Sequence, residues 1–219
     1  MQINELMIPT ADELILQRQA QEAFWSWMDK QSNYIIKGKY WDPRDNIIAV
    51  VTHYGDGMQF FEHPGLIYKE WFFGKNLATD DGDIYYAKKS AGETPVVNEN
   101  FLQARMELRN MADTPAKADT YTSVLGPITA SRKTIDATYP KTNDTGDTDN
   151  TGDAVDAVSY RYQWTAADFN DAAIQGGCQH DNATPVAATK LLNHFSITSF
   201  AKGSTDTLKM FTNHTFNGI

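Results

Sequence analysis

A run of closely spaced aspartates is the first feature of the chain that could do chemistry. Residues 143–156 have the sequence NDTGDTDNTGDAVD, in which Thr-Gly-Asp occurs twice, and no lysine or arginine lies between Lys141 and Arg161. Carboxylate oxygens are ligands that calcium prefers. The candidate calcium ligands in this run are Asp144, Asp147, Asp149 and Asp153.

The spacing of these aspartates departs from that of a standard calcium loop. If an EF-hand loop began at Asp147, Gly152 would fall correctly at position 6, but position 12 would be Val158 instead of a bidentate acid. Three interpretations stay open: a mobile, solvated loop at a sheet edge, a calcium loop, or a partner-contact loop that orders on assembly. The acidic residues 80–83 are a weaker candidate of the same kind.

The histidines and the single cysteine are the other potentially reactive side chains. Cys178 lies two residues before His180, which is compatible with a Cys-His nucleophile or with a small buried cysteine. His194 and His214 fall on consecutive predicted strands, where we expect a sheet pair instead of a metal site. Helical zinc spacing, the Gly-x-Ser-x-Gly elbow and the glycine-rich nucleotide motifs are all missing from the sequence. We therefore expect no catalytic residues, no resident metal and no cofactor.

The first half of the chain predicts both helices and strands. Thr10 and Glu13 have capping-box spacing, and apolar residues recur at helical intervals through residues 11–30. Residues 80–83 are expected to form an acidic loop between two strands. The predicted strands are 34–41, 47–54, 66–73 and 84–87, and a second helix is predicted at 98–111.

The second half predicts mainly strands. Apolar and polar residues alternate from Val158 to Trp164, which is the clearest strand pattern in the chain. A short helix is predicted to begin after Thr165 and to end at Gly176. The other predicted strands are 121–125, 128–139, 191–200 and 207–216, the last two joined by a connection of hairpin length at 201–206.

Composition changes near residue 113. The chain has 219 residues and a formal net charge of −9; all its glutamates precede residue 113, and every acid after that point is an aspartate. Glutamate favours helices and threonine favours strands. We therefore predict an α+β, mainly β fold. Residues 1–112 would form a mixed α/β, aromatic-rich part with an N-terminal helix, and residues 113–219 a Thr/Asp-rich, antiparallel β-sandwich-like domain. The alternative is one domain whose halves share a sheet.

The overall composition also excludes several classes of protein. The acidic balance argues against a nucleic-acid partner, which requires a basic face. The sequence has no apolar run long enough for a membrane-spanning helix, and one cysteine cannot form a disulfide scaffold. Residues 1–10 contain Glu5 and no basic residue, so we expect no secretory signal.

Aromatic side chains are concentrated in the first part of the chain. Most are expected in the core, but an excess of exposed rings is typical of protein interfaces and sugar-binding platforms. The interface candidates are Trp25, Trp27, Trp41, Trp71 and Phe72.

Residues 157–217 carry a resemblance to a known class of protein. The segment begins AVSYRYQWTAADFNDAAIQGGCQHDN and continues through ATKLLNHFSITSF and AKGSTDTLKMFTNHTFNG. This order of strand, short Asp/Asn-rich helix, Gly-Gly link and two further strands resembles the C-terminal β-domain of small virion structural proteins of tailed bacteriophages, especially tail and neck components.

The resemblance implies a non-enzymatic virion subunit of the neck or tail that acts through subunit–subunit contacts. It implies other virion proteins as partners, a homo-oligomer or ring, and a location in the virion after assembly in the host cytoplasm. Two alternatives stay open: a capsid-decorating protein, and a carbohydrate- or receptor-binding β-module of the phage adsorption apparatus.

Overall fold

The structure is a computed structural model that describes residues 46–53, 68–94, 101–144, 146–150, 152 and 154–216. The helix predicted at 11–30 and the strand predicted at 34–41 lie outside these residues. So do four of the predicted site residues, Trp25, Trp27, Trp41 and Asp153.

Nine antiparallel strands form one curled, half-barrel sheet, which confirms the expectation of a mainly β fold. The strands are β1 (Asn46–His53), β2 (Tyr68–Ala78), β3 (Arg105–Arg109), β4 (Lys133–Thr134), β5 (Lys141–Thr142), β6 (Ala157–Trp164), β7 (Asp171–His180), β8 (Leu191–Lys202) and β9 (Thr207–Thr215). Their spatial order is β4-β3-β7-β8-β2-β1-β9-β6-β5. Within the described ranges the sheet is accompanied by one α-helix, α1 (Asp80–Ser90), and by short 3₁₀ turns.

The central strand β1 is buried on both faces. Ile47, Ala49 and Val51 belong to the main core, together with aromatic side chains of β6 and with Tyr85 of α1. The intervening residues Ile48 and Val50 pack with Phe211 in a second apolar cluster. Burial on both sides explains why β1 is a continuous apolar run instead of an alternating one.

Strands β8 and β9 are not neighbours, so the predicted hairpin pairing at 201–206 is wrong. The β1–β2 hairpin lies between them, with β2 paired to β8 and β1 paired to β9. The connection itself is a tight turn, in which the Gly203 N–H donates to Oδ2 of Asp206 at 2.8 Å. This insertion gives the apolar strand β1 a hydrogen-bonded partner on each edge.

The segment between β3 and β6 links the two sides of the curled sheet. The Ile135 N–H donates to the Ala104 carbonyl at 3.2 Å, and the Asp136 N–H donates to the Arg161 carbonyl at 3.0 Å. The Trp164 indole Nε1 donates to the Ser131 carbonyl at 2.7 Å. Backbone groups near both sheet edges therefore have partners, which limits pairing with other chains at these positions.

The strand predicted at 84–87 and the acidic loop at 80–83 are wrong, because both belong to α1. Thr79 is the N-cap, and its Oγ1 accepts the Gly82 N–H at 3.2 Å. Three aspartates occupy the first turn, where they interact favourably with the helix dipole.

The helix predicted at 98–111 is also wrong. A 3₁₀ turn at Phe101–Gln103 leads into β3, in which Met106 and Leu108 enter the main core. Glu107 and Arg109 lie on the opposite face of β3, where another segment of the chain covers and buries them. Because both residues are charged, the sequence of β3 does not show the pattern of a buried strand.

Several predictions in the second half need correction. Residues 121–125 and 128–139 contain 3₁₀ turns and the short strand β4 instead of two long strands. The predicted helix after Thr165 is only a turn, closed by Asp168, and β7 follows it. Gly176, the predicted end of that helix, lies within β7 and pairs with Arg109 and Ser196. The position requires glycine because an added Cβ would overlap the Phe195 carbonyl and the Arg109 guanidinium.

Strands from both sides of residue 113 belong to the same sheet. β3 precedes that boundary and pairs with β4 and β7, which follow it.

Candidate functional site

The acidic segment 143–156 is fastened to the sheet by two cations. Nζ of Lys209, on β9, lies 2.8 Å from Oδ2 of Asp149 and 3.2 Å from each carboxylate oxygen of Asp147. Arg161, on β6, donates from Nη1 to Asp147 at 2.9 Å. Both aspartates are buried. Their carboxylates are therefore engaged in ion pairs and do not form an open, solvated loop.

The beginning of the acidic segment is held in a similar way. Asp144 is buried, accepts a hydrogen bond from the Tyr139 hydroxyl, and lies 3.5 Å from Nζ of Lys141. Asn150 and Asn213 join the segment to β9 through an amide hydrogen bond of 2.9 Å. Within the described ranges, no group of three or more His, Cys, Asp or Glu side chains is placed to hold a metal ion.

The ion pairs also shift the pKa values of the two cations. Burial alone would lower the pKa of Lys209, but the hydrogen bonds and charges of Asp149 and Asp147 raise it above its ordinary value. The pKa of Arg161 is likewise raised, because Asp136 and Asp147 outweigh its desolvation. Both side chains are therefore charged at neutral pH, as the fastening requires.

A second charged cluster lies beneath residues 110–132, which we call the strap. Oε2 of Glu107 accepts hydrogen bonds from Nε of Arg132 at 2.8 Å and from the Tyr121 hydroxyl at 3.1 Å, and lies 3.2 Å from Nε2 of His180. Burial would raise the pKa of Glu107, but the bonds from His180 and Arg132 lower it below its ordinary value. Glu107 is thus an anion that ties the end of the strap to β3.

The other end of the strap is tied to β3 and β8. Nη2 of Arg109 lies 2.5 Å from Oδ1 of Asp113 and donates to Oγ of Ser196 at 2.6 Å. His194 contacts two strap carboxylates, with Nδ1 2.8 Å from Asp119 and Nε2 3.3 Å from Asp113. The strap is therefore held by buried charged groups at both ends.

Cys178 lies on the sheet face covered by the strap. It is completely buried and packs with Val124 of the strap and Leu191 of β8, with Tyr121 against them. Burial raises the pKa of the Cys178 thiol far above its ordinary value, which disfavours the reactive thiolate. The geometry agrees with the interpretation of a small buried cysteine.

A third polar network lies inside the curled sheet. Oε1 of Gln179 accepts from Asn193 at 2.5 Å and from the Thr212 hydroxyl at 2.9 Å, and Nε2 of Gln179 donates to the Tyr162 hydroxyl at 2.6 Å. His214 joins this network at 3.3 Å from Oε1 of Gln179, and burial lowers the pKa of His214 to about 3. His214 is therefore a neutral core histidine, and it does not pair with His194.

The two described interface candidates lie on opposite faces of β2. Trp71 packs against the second apolar cluster, which includes Ile48 and Phe211. Phe72 packs against the main core and stacks on Phe200, with 4.6 Å between ring centroids. The two rings therefore cannot form one shared platform.

The strap cluster and the interior network were missed by sequence reasoning. Their members come from strands far apart in the chain: Glu107 and His180, for example, are separated by 73 positions. One sequence signal bears on both clusters. Cys178 and His180 alternate with Gln179, so the first two lie on one face of β7 and Gln179 lies on the other.

Comparisons of the chain with protein-family models, with curated proteins and with solved structures found no match. Among the residues that the structure describes, no helix has the length and apolarity needed to cross a membrane.

Proposed function

We propose that this chain is a non-enzymatic structural subunit of a tailed-bacteriophage virion, part of the neck or tail, that acts through contacts between subunits. The resemblance of residues 157–217 supports this proposal from the sequence side. That region contains four strands of the sheet, β6, β7, β8 and β9.

The observation that carries the proposal is the fastening of the acidic segment, which creates a preordered surface at its end. Val155 is 78 % exposed there, and the adjoining Phe216 is 47 % exposed. The Phe216 N–H donates to the Asp156 carbonyl at 2.8 Å, and the Phe216 ring packs edge-on against Tyr86 at 4.8 Å. The Phe216 ring is therefore held in place before contact, and such an apolar side chain loses little conformational entropy on binding, which favours repeated subunit contacts.

The proposal is tested by measuring assembly with a matched pair of variants. We expect the purified protein to form a defined oligomer in sedimentation velocity, or to bind purified phage particles that lack it. Val155→Asp should weaken this association, whereas Val186→Asp, at a valine that is 59 % exposed on another loop, should leave it unchanged. A protein that stays monomeric and binds no particle component would contradict the proposal.

Immunogold electron microscopy of native particles decides among the related possibilities. Label at the neck or tail supports the proposal, and label over the whole head would identify a capsid-decorating protein instead. Binding to a glycan array, abolished by Trp71→Ala, would favour the carbohydrate-binding alternative. Trp71 and Phe72 lie on opposite faces of β2, so these two rings do not share a platform.

A further inference from the structure

We propose that the chain associates head to tail with other copies of itself, through two different apolar surfaces. The first, which we call the Val155 surface, is formed by Val155 and Phe216. The second, which we call the Met111 surface, is formed by Met111, which is 52 % exposed, and Leu125, which is 46 % exposed. This pairing rests on the proposed function, which assigns subunit contacts to the Val155 surface, and it names the partner of that surface.

The two surfaces lie at opposite ends of the sheet. Val155 comes two positions before the start of β6, and Phe216 directly follows the end of β9, the antiparallel neighbour of β6. Met111 comes two positions after the end of β3. Six antiparallel pairings connect β3 to β6, so these two strands run in the same direction. The Val155 surface can therefore reach a Met111 surface only on another copy.

The Met111 surface, like the Val155 surface, is held in place before contact. The backbone of Gly126 lies against the Met111 side chain, and an added Cβ there would come to 2.5 Å from Cγ of Met111. Gly126 has a φ of +62°, and its carbonyl accepts the Asn110 N–H at 3.0 Å. The Leu125 N–H donates to Oδ2 of Asp113 at 3.2 Å. The two ends of the strap therefore present Met111 and Leu125 together, which reduces the conformational entropy lost on binding.

An exposed cation lies beside the Val155 surface. Lys89 is in the last turn of α1, one helical turn from Tyr86, which packs on Phe216. Among the described residues Lys89 forms no ion pair, whereas Asp156, next to Val155, already interacts within its own chain. Lys89 is therefore available to a carboxylate of another copy.

An anion lies beside the Met111 surface. Oδ2 of Asp171 accepts the side-chain amide of Asn110, the neighbour of Met111, at 3.0 Å. Across the part of the chain that the structure describes, Asp171 has no cationic partner. A contact between the two different surfaces gives Asp171 a counterion in Lys89 of the next copy. Two Met111 surfaces in contact would instead oppose one Asp171 to another.

A contact between two different surfaces leaves one of each unoccupied at the ends of the assembly. It therefore repeats from copy to copy, and it closes into a ring or grows into a filament according to the rotation between neighbours.

Two variants that each block one surface test this arrangement. We expect Val155→Asp and Met111→Asp each to weaken self-association in sedimentation velocity about tenfold or more, because burying one such side chain corresponds to at least that factor. Each variant keeps one intact surface. Mixed together, with one of them ¹⁵N-labelled, they should form a dimer that contains one copy of each and nothing larger, as measured by native mass spectrometry. Val186→Asp, at a valine that is 59 % exposed, should associate like the wild type.

A mixture that forms no mixed dimer would overturn the head-to-tail pairing. So would a loss of association in Val155→Asp but not in Met111→Asp, although the Val155 surface would then still make subunit contacts, as the proposed function requires. A wild-type chain that stays monomeric would also overturn the pairing, whereas its binding to phage particles decides the proposed function separately.

Charge reversal tests the same contact without changing the apolar side chains. Lys89→Glu and Asp171→Lys should each weaken association, and a chain that carries both changes should associate more tightly than either single variant. A double variant no better than the single ones would contradict the pairing of the two surfaces.

Discussion

Replacing Lys209 by methionine tests whether the acidic segment is truly fastened to the sheet. The change keeps most of the aliphatic side chain and removes the ammonium group that lies 2.8 Å from Asp149 and 3.2 Å from Asp147. A hydrogen bond to a charged group contributes about 1.5–3 kcal/mol, and an unpaired buried carboxylate costs about 3–5 kcal/mol.

Two features of the site reduce the expected loss. The Lys209 side chain is 26 % exposed, and Arg161 continues to compensate Asp147 after the substitution. We therefore expect Lys209→Met to lower the free energy of unfolding by about 2–4 kcal/mol. Urea denaturation followed by circular dichroism measures this loss, provided that the m-values of variant and wild type agree.

Lys133→Met is the matched control. Lys133 also contacts an aspartate, Asp168, at 3.0 Å, but the two side chains are 31 % and 28 % exposed. A surface pair of this kind contributes about 0–1 kcal/mol. If Lys209→Met destabilised the protein no more than Lys133→Met, or if residues 143–156 were equally sensitive to proteases in both variants, the ion pairs would not fasten the segment.

Three further predictions concern the helix contact and the pH dependence of stability. Gly82→Ala should destabilise the fold by about 1–3 kcal/mol in urea denaturation, because the new Cβ would overlap the Leu192 carbonyl. Gly92→Ala is the control: its new Cβ would meet no atom within 4 Å, so the variant carries only the strain of φ +76°. His214 should make the free energy of unfolding fall as pH drops from about 7 toward 3, because the unfolded chain takes up a proton near pH 6.5 that the folded protein resists. His214→Gln should flatten this part of the stability profile, and an unchanged profile would refute the interpretation of His214 as a neutral core histidine. The lowered pKa of Glu107 contributes stability that is fully present above the unfolded carboxyl pKa near 4.5 and is lost as pH falls further. Glu107→Gln should therefore reduce the dependence of the free energy of unfolding on pH in that lower range, while costing about 3–5 kcal/mol at neutral pH.

Strands with a strong local pattern could be predicted from the sequence. The alternation in β6 and the apolar run of β1 each follow from burial against the core, so residue type alone locates them. Helix α1 was missed because its residues 84–87 are apolar and aromatic, as in a strand. The aspartates of its first turn also fit an acidic loop, and the cap Thr79 alone does not distinguish the two.

The candidate site was only partly predictable, for a different physical reason. The acidic run is visible in the sequence, but Lys209, which compensates it, is 60 positions away from Asp149. The face of β3 that carries Glu107 and Arg109 looks solvent-exposed in the sequence. It is buried because the strap supplies partners of opposite charge, and such pairing depends on sheet order, which local patterns do not determine.

The insertion of the β1–β2 hairpin between β8 and β9 has a consequence for biosynthesis. Residues 46–53 are translated early, yet one of their two neighbours in the sheet is formed by residues 207–215. If the β1–β2 hairpin forms first, the outer edge of β1 therefore has no strand partner until almost all of the described chain has been synthesised. Pairings between such distant segments slow folding and prolong the time for which unpaired apolar strand edges are exposed to aggregation.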